Sequence, residues 1–418
     1  MSAVVNNLFV TVATFQPYAC RYLNNAYPMI HDSNKEFNNM NNLPAQLGQT
    51  VQFEKQFLVK SQRSLVAEWE PTVQRFITLT VDKPAMVPLQ YTAEQLMFYD
   101  AEGFMKKRGG IASMMAMGAQ IEGDLAQLAI DKTFRFYGNG RDQITHVQQL
   151  SEALRKMRNY GNAMDVAKGY IPDFAIDNFV GDSLNQFATD RNNRMSMSWE
   201  LGNWSMCDWR SSNMLQEHIA GSEGQANSTL TVVSVQETAG AVTSITFSGT
   251  ASSNDPLSVK KGDKFRFKDI SGYAILRYLV LGTAQVSYNP VEFTAAADAA
   301  AVGGQVTVTV NNPLKASSGV DQNINTSIVA GMQAEVADSH VCALITQGDP
   351  LFLAMPRLPD QTPFPSSSSY DEKTGISVRF SHGATFAQNI YGYTFDTIYG
   401  EQLNPDNAIA LLFPLKRF

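Results

Sequence analysis

The spacing of polar and apolar positions changes along the chain, and each change marks a different kind of element. Between Gly48 and Gln90 apolar residues alternate: Val51 and Phe53 point one way, and Val73, Ile77, Leu79 and Val81 share a face interrupted only by Arg75. A period of two marks a strand with one covered face. The polar stretch Lys60 to Thr72, with Pro71 near its end, separates the two runs, so the segment reads as a long two-stranded excursion. A ribbon of this kind is marginal in water and has to rest on other structure. From Thr92 the period lengthens. Thr92 and Gln95 have capping-box spacing. After a break at Gly109-Gly110, Ile111, Met114, Met115, Gly118, Ile121, Leu125, Leu128 and Ala129 recur at three- and four-residue steps. This predicts a long amphipathic helix to about Phe136, stopped by Gly138-Asn139-Gly140. Its methionines are expected to fill core.

A second amphipathic helix is predicted from a Thr145 cap through Val147, Leu150, Leu154 and Met157 to near Gly161. A buried strand at Gly169-Tyr170-Ile171 and a short helix from Pro172 to Phe179 follow. Trp199 to Trp209 holds three tryptophans with hardly any positive charge around them, which predicts sheet or subunit contact rather than base stacking. From about Ser222 to Ser318 the chain is rich in Thr, Val, Ser, Gly and Ala. Short β runs at Leu230–Val235, Val242–Phe247, Lys264–Lys268, Tyr278–Leu281 and Gln305–Val310 are punctuated by glycine turns. This reads as an inserted all-β domain that folds alone. Beyond it the pattern predicts a helix from Ile328 to about Glu335, a buried strand Cys342–Ile345, a Pro/Ser-rich loop Pro356–Ser369, and strands at Ile390–Ile398 and Ala408–Phe413. The first 44 residues, Asn-rich and ending at Pro44, predict an extended arm with Tyr22, Tyr27 and Phe37 as scattered anchors. The fold class is α+β.

Composition narrows the function. The 418 residues carry 32 Lys+Arg against 39 Asp+Glu, a formal charge of −7, with 44% hydrophobic residues. That much apolar content excludes disorder. The acidic balance argues against a sequence-specific nucleic-acid binder, which needs a cationic excess to displace counterions. The charged fraction, 17%, lies below the roughly 25% usual in soluble domains. Asn, Gln, Ser and Thr fill the gap, giving a polar, charge-poor surface suited to packing against other subunits. Met1 to Phe15 has no Lys or Arg ahead of its apolar residues and no run reaches 18 apolar residues, so neither a signal peptide nor a membrane span is expected. The sequons at Asn203, Asn227 and Asn325 are then chance matches.

Candidate chemistry is sparse. His31, His146, His218, His340 and His382 are scattered, none within HExxH or beside a matching carboxylate cluster. No phosphate-cradling glycine loop and no GxSxG elbow occurs. Glu68 and Glu70 are neighbours in a polar loop, too little for a glycosidase pair. Lys261-Gly262-Asp263 looks like an adhesion tripeptide but reads as a turn between strands. Cys20, Cys207 and Cys342 are far apart, form no CxxC, and are expected to be reduced and buried. The sequence therefore names no catalytic, cofactor-binding or metal-binding residue and no cofactor, and points to a structural protein rather than an enzyme.

The order of parts then carries a resemblance. Gly48-Gln49-Thr50-Val51-Gln52-Phe53 enters the excursion and Val87-Pro88-Leu89-Gln90-Tyr91-Thr92 leaves it; Lys261-Gly262-Asp263-Lys264-Phe265 lies in the β insertion and Asn325-Thr326-Ser327-Ile328 after it. Tyr391-Gly392-Tyr393 to Tyr399-Gly400 and Asn404-Pro405-Asp406 complete the set. Together the chain resembles the major capsid proteins of tailed double-stranded DNA bacteriophages, of the Hong Kong 97 fold, in the P-twenty-two-like branch with an inserted β domain. The aromatic Trp199 to Trp209 segment and the spacing inside the insertion depart from that pattern. The resemblance implies an N-terminal arm at 1–44, an extended loop at 45–91, a peripheral domain with its spine helix at 92–143, and an axial domain at 144–221. It implies an inserted β domain at 222–318, and at 319–418 the rest of the axial domain with returning peripheral strands. It further implies self-assembly through head-to-tail rings of five and six into an icosahedral shell around phage DNA, assembled in the cytoplasm of a bacterial host. The implied partners are other copies of the chain as hexamers and pentamers, a scaffolding protein, a portal protein and decoration proteins, with non-specific proximity to packaged DNA and no membrane. In some members of the fold a loop lysine joins a neighbour's asparagine covalently; Lys55 and Lys60 are available, but nothing else marks such a site. The alternatives are a phage tail or portal component, or a secreted β-rich enzyme or adhesin.

Overall fold

The computed structural model describes residues 19–35, 48–55, 58–59, 65–66, 69, 73–92, 109–161, 165–176, 178–179, 202–221, 229–249, 258–270, 272, 275–280, 285–359, 366–371, 374–385 and 390–415. The chain divides into two units. One comprises Met1–Phe53, Ile77–Leu125 and Leu351–Gln402; the other comprises Glu54–Phe76, Ala126–Pro350 and Leu403–Phe418. Both mix helix and sheet, as the α+β reading expects.

In the first unit a five-stranded sheet runs in the order Leu351–Ala354, Ile390–Leu403, Ile376–Thr385, Ser366–Asp371, with Lys83–Thr92 also paired to Ile390–Leu403. That last pairing is antiparallel and unbroken from Ile390 opposite Thr92 to Tyr399 opposite Lys83. Tyr393, Phe395, Thr397 and Tyr399 are buried in strict alternation, which places one face of the strand on the core. Thr92 is therefore the end of a strand, and the capping box expected there is not formed by it; residues 93–108 lie outside the described residues. The long helix is Gly109–Lys132, which begins at the glycine pair expected to break it and ends before Phe136. Within this unit Met114, Met117, Ile121 and Leu125 are fully buried at steps of three and four, whereas Met115 is half exposed. The methionine stripe is core.

The N-terminal segment corrects the expectation of an extended arm, because residues 19–26 are helical and Pro28–Asp32 forms a further short helix. Ala19, Cys20, Leu23, Met29 and Ile30 are buried. Its attachment is specific: the buried carboxylate of Glu122 accepts the backbone N–H groups of Met29 (3.1 Å) and Ile30 (3.0 Å), and the Tyr27 hydroxyl donates to Met115 O at 2.6 Å. Gly118 lies beneath the Tyr27 ring, where a Cβ would stand 2.1 Å from Cε2. Phe37, the remaining expected anchor, falls outside the described residues.

The second unit has two large sheets. One runs Phe136–Tyr137, Ala408–Pro414, His340–Gln347, Ala167–Ile171, Cys207–Ser211, Gly202–Trp204, with Glu217–His218 paired to an end of His340–Gln347. Every residue of His340–Gln347 is buried, as a central strand covered on both faces must be. Helix Val147–Arg158 packs Leu150, Ala153, Leu154 and Met157 into the cluster that includes Ile345, Ile409, Leu411 and Phe413. It starts one residue later than expected: the Gln149 side-chain oxygen accepts the backbone N–H groups of both Thr145 (2.9 Å) and His146 (3.0 Å). Trp209 explains part of the aromatic stretch, since its indole covers Gly169, where a Cβ would approach it to 2.3 Å.

The other sheet has six strands in the order Glu292–Thr294, Lys264–Phe267, Gln333–Val336, Thr229–Thr238, Ala241–Gly249, Gln305–Lys315. All five of the β runs expected between 222 and 318 are strands. Two expectations around them need correction. Residues Ile328 to Glu335 are not a helix, although Ala, Met, Gln and Glu favour one: Gly331 sits at φ +92° and turns the chain into the strand Gln333–Val336. That strand lies between Lys264–Phe267 and Thr229–Thr238 and pairs with both. The sheet is consequently not complete within 222–318. Its core, around the stacked rings of Phe247, Phe265 and Phe293, also takes in Phe134 and Tyr160 from outside that range.

Candidate assembly surface

The two-stranded excursion is present. Gln49–Glu54 pairs with Phe76–Val81 as a separate ribbon, extended by a bridge between Leu58 and Val73. Its root is fixed: Phe53, Ile77, Leu79 and Val81 form a buried cluster with Ala354, and Phe53 stacks on Phe352 at 4.5 Å. Gly400 allows close approach here, for a Cβ at that position would lie 2.3 Å from Thr80 O. At the ribbon's exit Lys83 joins Glu401 and Asp124 (3.1 Å to Oδ2), and the Tyr399 hydroxyl donates to the same Asp124 oxygen at 2.6 Å. Beyond the root the character reverses. Val59, Leu65, Val66 and Trp69 are exposed, Leu65 at 107% and Trp69 at 94% of the reference area. Isolated exposed apolar residues are ordinary, but a group of them on one projecting segment marks an interaction surface.

A charge centre sits at Asp406. Its Oδ2 receives Lys55 Nζ (3.3 Å) and Arg75 Nη1 (3.0 Å), while Arg135 Nη1 donates to the backbone O of Asp406 at 2.8 Å. Burial alone would raise the carboxyl's pKa; Lys55, Arg75 and Arg135 outweigh it and hold the group below its ordinary value. Burial lowers the pKa of Lys55, with Asp406 opposing. Lys55 is thus occupied inside its own chain, and Lys60 lies outside the described residues, as do Glu68 and Glu70.

The other residues flagged by sequence are placed as follows. His31 meets Asp32 at 3.0 Å, His146 is exposed at the start of its helix, and the half-buried His382 lies beside Phe380 and Tyr393. The fold brings His218 and His340 together, with ring centres 5.3 Å apart, and His218 Nε2 meets Asp263 Oδ1 at 2.7 Å. The grouping resembles a catalytic set only in its residue types. Asp263 Oδ2 accepts the N–H groups of Lys260 (2.8 Å) and Gly221 (3.2 Å), His340 Nδ1 is 2.7 Å from Asp338 O, and the whole cluster is buried. Burial pushes the His340 imidazole down to about 3 and the Cys342 thiol up to about 11, so both are neutral near pH 7. Gly262 at φ +97° and the buried Asp263 make the Lys261-Gly262-Asp263 tripeptide a turn. All three cysteines are free and buried. Among the described residues no group of three or more His, Cys, Asp or Glu could hold a metal ion, and no helix is long and apolar enough to cross a membrane.

Two buried ionic centres escaped the sequence reading. Fully buried Glu292 accepts from Lys156 Nζ (2.5 Å), Arg266 Nε (2.7 Å) and the N–H of Phe136 (3.1 Å), and both cations lie against the Phe136 ring. Fully buried Lys264 donates to the carbonyls of Ala129 (3.4 Å), Ile130 (3.2 Å) and Thr133 (2.6 Å), where the long helix leaves acceptors without partners. A charged residue inside a strand-like run, as in Val291-Glu292-Phe293, was the available signal.

The class these features define is a mixed helix-and-sheet protein with a rooted ribbon and an apolar tip. No protein-family model matches the sequence, and no curated protein matches it. Among solved structures, the chain is similar to one from Mycobacterium phage Che8 at 7% identity, covering 92% of this chain and 90% of that one, with a TM-score of 0.43. It is similar to the capsid structure of the cyanophage P-SCSP1u at 10% identity, covering 88% and 84%, with a TM-score of 0.41. It is also similar to the head structure of Helicobacter pylori bacteriophage KHP40 at 10% identity, covering 88% and 85%, with a TM-score of 0.36.

Proposed function

We propose that the chain is a major capsid protein of a tailed double-stranded DNA phage, of the Hong Kong 97 type with an inserted β domain, and that it assembles head-to-tail into rings of five and six that close into a shell. The observation that carries this is the ribbon: a buried root that holds it out, and a tip whose Leu65, Val66 and Trp69 are exposed to solvent. Moving each such side chain out of water is worth roughly 1.5–3 kcal/mol, which a neighbouring copy would supply. A contact in which one copy's ribbon meets a different surface of the next is heterologous, and heterologous contacts generate rings when the rotation closes. The low charged fraction and the absence of an assembled nucleophile, base or metal set among the described residues fit a structural role. On this reading the ribbon is the extended loop, Gly109–Lys132 belongs to the spine helix, and the seven-stranded sheet with helix Val147–Arg158 belongs to the axial domain. The six-stranded sheet is the inserted domain, reaching to Val336. Scaffolding, portal and decoration proteins are the further partners, DNA is met without sequence preference, and the place of action is the virion after assembly in the bacterial cytoplasm.

Negative-stain microscopy of the purified chain, alone and with a scaffold from the same phage, tests it. Shells, rings or aberrant polymers of one subunit are expected, and Leu65→Ser with Trp69→Ser should reduce them while leaving the melting temperature of the subunit unchanged. A strictly monomeric chain at high concentration, with the ribbon ordered, would overturn the assembly reading; tubes in place of shells would point to a tail component.

A further inference from the structure

The tip of the ribbon carries more chemistry than apolar area, and a cavity in the second unit complements it. The cavity, about 270 Å³, is walled by Leu58, Val59, Arg75, Arg135, Tyr160 and Tyr278. Its aromatic wall is cationic, because the Arg135 guanidinium lies over the Tyr160 ring at 3.8 Å. Three cations, Lys55, Arg75 and Arg135, surround the single carboxylate of Asp406, leaving a local surplus of two positive charges in a chain whose net charge is −7. Two polar atoms there have no hydrogen-bond partner: the Tyr160 hydroxyl, on a side chain 1% exposed, and Arg135 Nε, on a residue 4% exposed. Buried polar groups left in this condition mark a place where a partner is missing. The complement is in the same sequence: Glu68-Trp69-Glu70 sets an indole between two carboxylates, with the indole in solvent.

We infer that the cavity beside Tyr160 and Arg135 receives Trp69 of a second copy of this chain, with Glu68 and Glu70 of that copy answering the surplus positive charge. The inference rests on the assembly reading and names the receiving site for its ribbon. An indole in a cavity lined by arginine and tyrosine gains apolar burial together with cation–π attraction. The two flanking carboxylates make the encounter salt-dependent.

The test uses the full chain. Trp69→Cys and Val320→Cys are placed on separate chains, Val320 being half-buried on the cavity wall and the three native cysteines being buried. The chains are mixed, assembled, oxidised with copper phenanthroline and run on a non-reducing denaturing gel. A disulfide-linked dimer at least about tenfold above either substituted chain alone is expected, and the same particles made with Glu68→Lys and Glu70→Lys should lose it. Particles that form normally by microscopy but give no dimer above the single-chain controls would overturn the cavity while leaving the assembly reading intact. A link formed only within one chain, when both substitutions are on the same molecule, would do the same. If the unsubstituted chain forms no oligomer at all, both fall. Tryptophan emission gives a second readout: the difference between the unsubstituted chain and Trp69→Phe should shift to shorter wavelength on assembly.

Discussion

Gly118 makes the attachment of the N-terminal segment testable through a change of sign. In an exposed helix interior, Gly→Ala is stabilising by about 1 kcal/mol, because glycine loses more backbone freedom on folding. At Gly118 the added methyl would stand 2.1, 2.6 and 2.9 Å from Cε2, Cδ2 and Cζ of Tyr27. None of those separations is tolerable, so the ring has to leave its place, and with it the 2.6 Å hydrogen bond from its hydroxyl to Met115 O. Overpacking of this kind costs about 1–3 kcal/mol and the lost hydrogen bond about 1 more. Against the propensity gain, Gly118→Ala should be net destabilising by roughly 1–3 kcal/mol. The measurement is hydrogen exchange of the amides between Gly109 and Leu125 in the full chain, which reports this unit separately where a single melting curve would not. In a Tyr27→Ala background the obstruction is gone, and the same substitution should raise protection by up to about 1 kcal/mol. Residues in direct contact couple by amounts of this order in double-mutant cycles. Increased protection from Gly118→Ala in the otherwise unchanged chain would mean that Tyr27 does not lie on this helix, and the packed N-terminal segment would have to be abandoned.

Other substitutions probe the second unit. Glu292→Gln leaves Lys156 and Arg266 facing each other without their buried anion, and should lower stability by about 3–5 kcal/mol in thermal melts; a change below about 1 kcal/mol would show that the centre is hydrated and unimportant. His340 is held neutral by burial, with its pKa at about 3 against an unfolded value near 6.5. Between those values the unfolded chain binds the proton and the folded chain does not, so stability is complete above about pH 6.5 and drains as the pH falls toward 3. His340→Phe should flatten urea midpoints over that window, and an unchanged slope would assign the acid sensitivity elsewhere. A fragment of residues 222–318 lacks the strand that joins the two halves of the six-stranded sheet, so it should show no cooperative melt, whereas 222–338 should show one. Equal melting of the two fragments would contradict the strand order.

The elements readable in the sequence were those whose packing is local or one-sided. The alternating run Val73 to Val81 and the three- and four-step run Met114 to Leu125 have their faces where the periods put them, since one covered face is enough to impose the pattern. What escaped depended on distant partners. Residues Ile328 to Glu335 have helix-forming composition, and only the vacancy between two strands from the 230s and the 260s turns Gln333–Val336 into sheet. The N-terminal segment looked like a loose arm because its binding partner, Glu122, lies some ninety residues on and reads in isolation as one more surface acid. The same holds for Glu292 and Lys264, whose burial is sustained by charges and carbonyls that the sequence separates by more than a hundred residues. The ribbon tip is the reverse case: Leu65 and Trp69 stand in a polar stretch with no period, and their exposure became visible only with the fold.

The placement of Gln333–Val336 also sets a timetable for synthesis. Thr229–Thr238 leaves the ribosome about a hundred residues before the strand that will lie against its outer edge, an interval of roughly 5–20 s at bacterial or eukaryotic elongation rates of about 5–20 residues per second. Throughout that interval the nascent β region carries an open edge capable of pairing with the same edge on a neighbouring nascent chain. On a polysome crowded with identical messages, the speed of translation through residues 239–332 therefore governs how much of the product is lost to aggregation before it can find its proper neighbours.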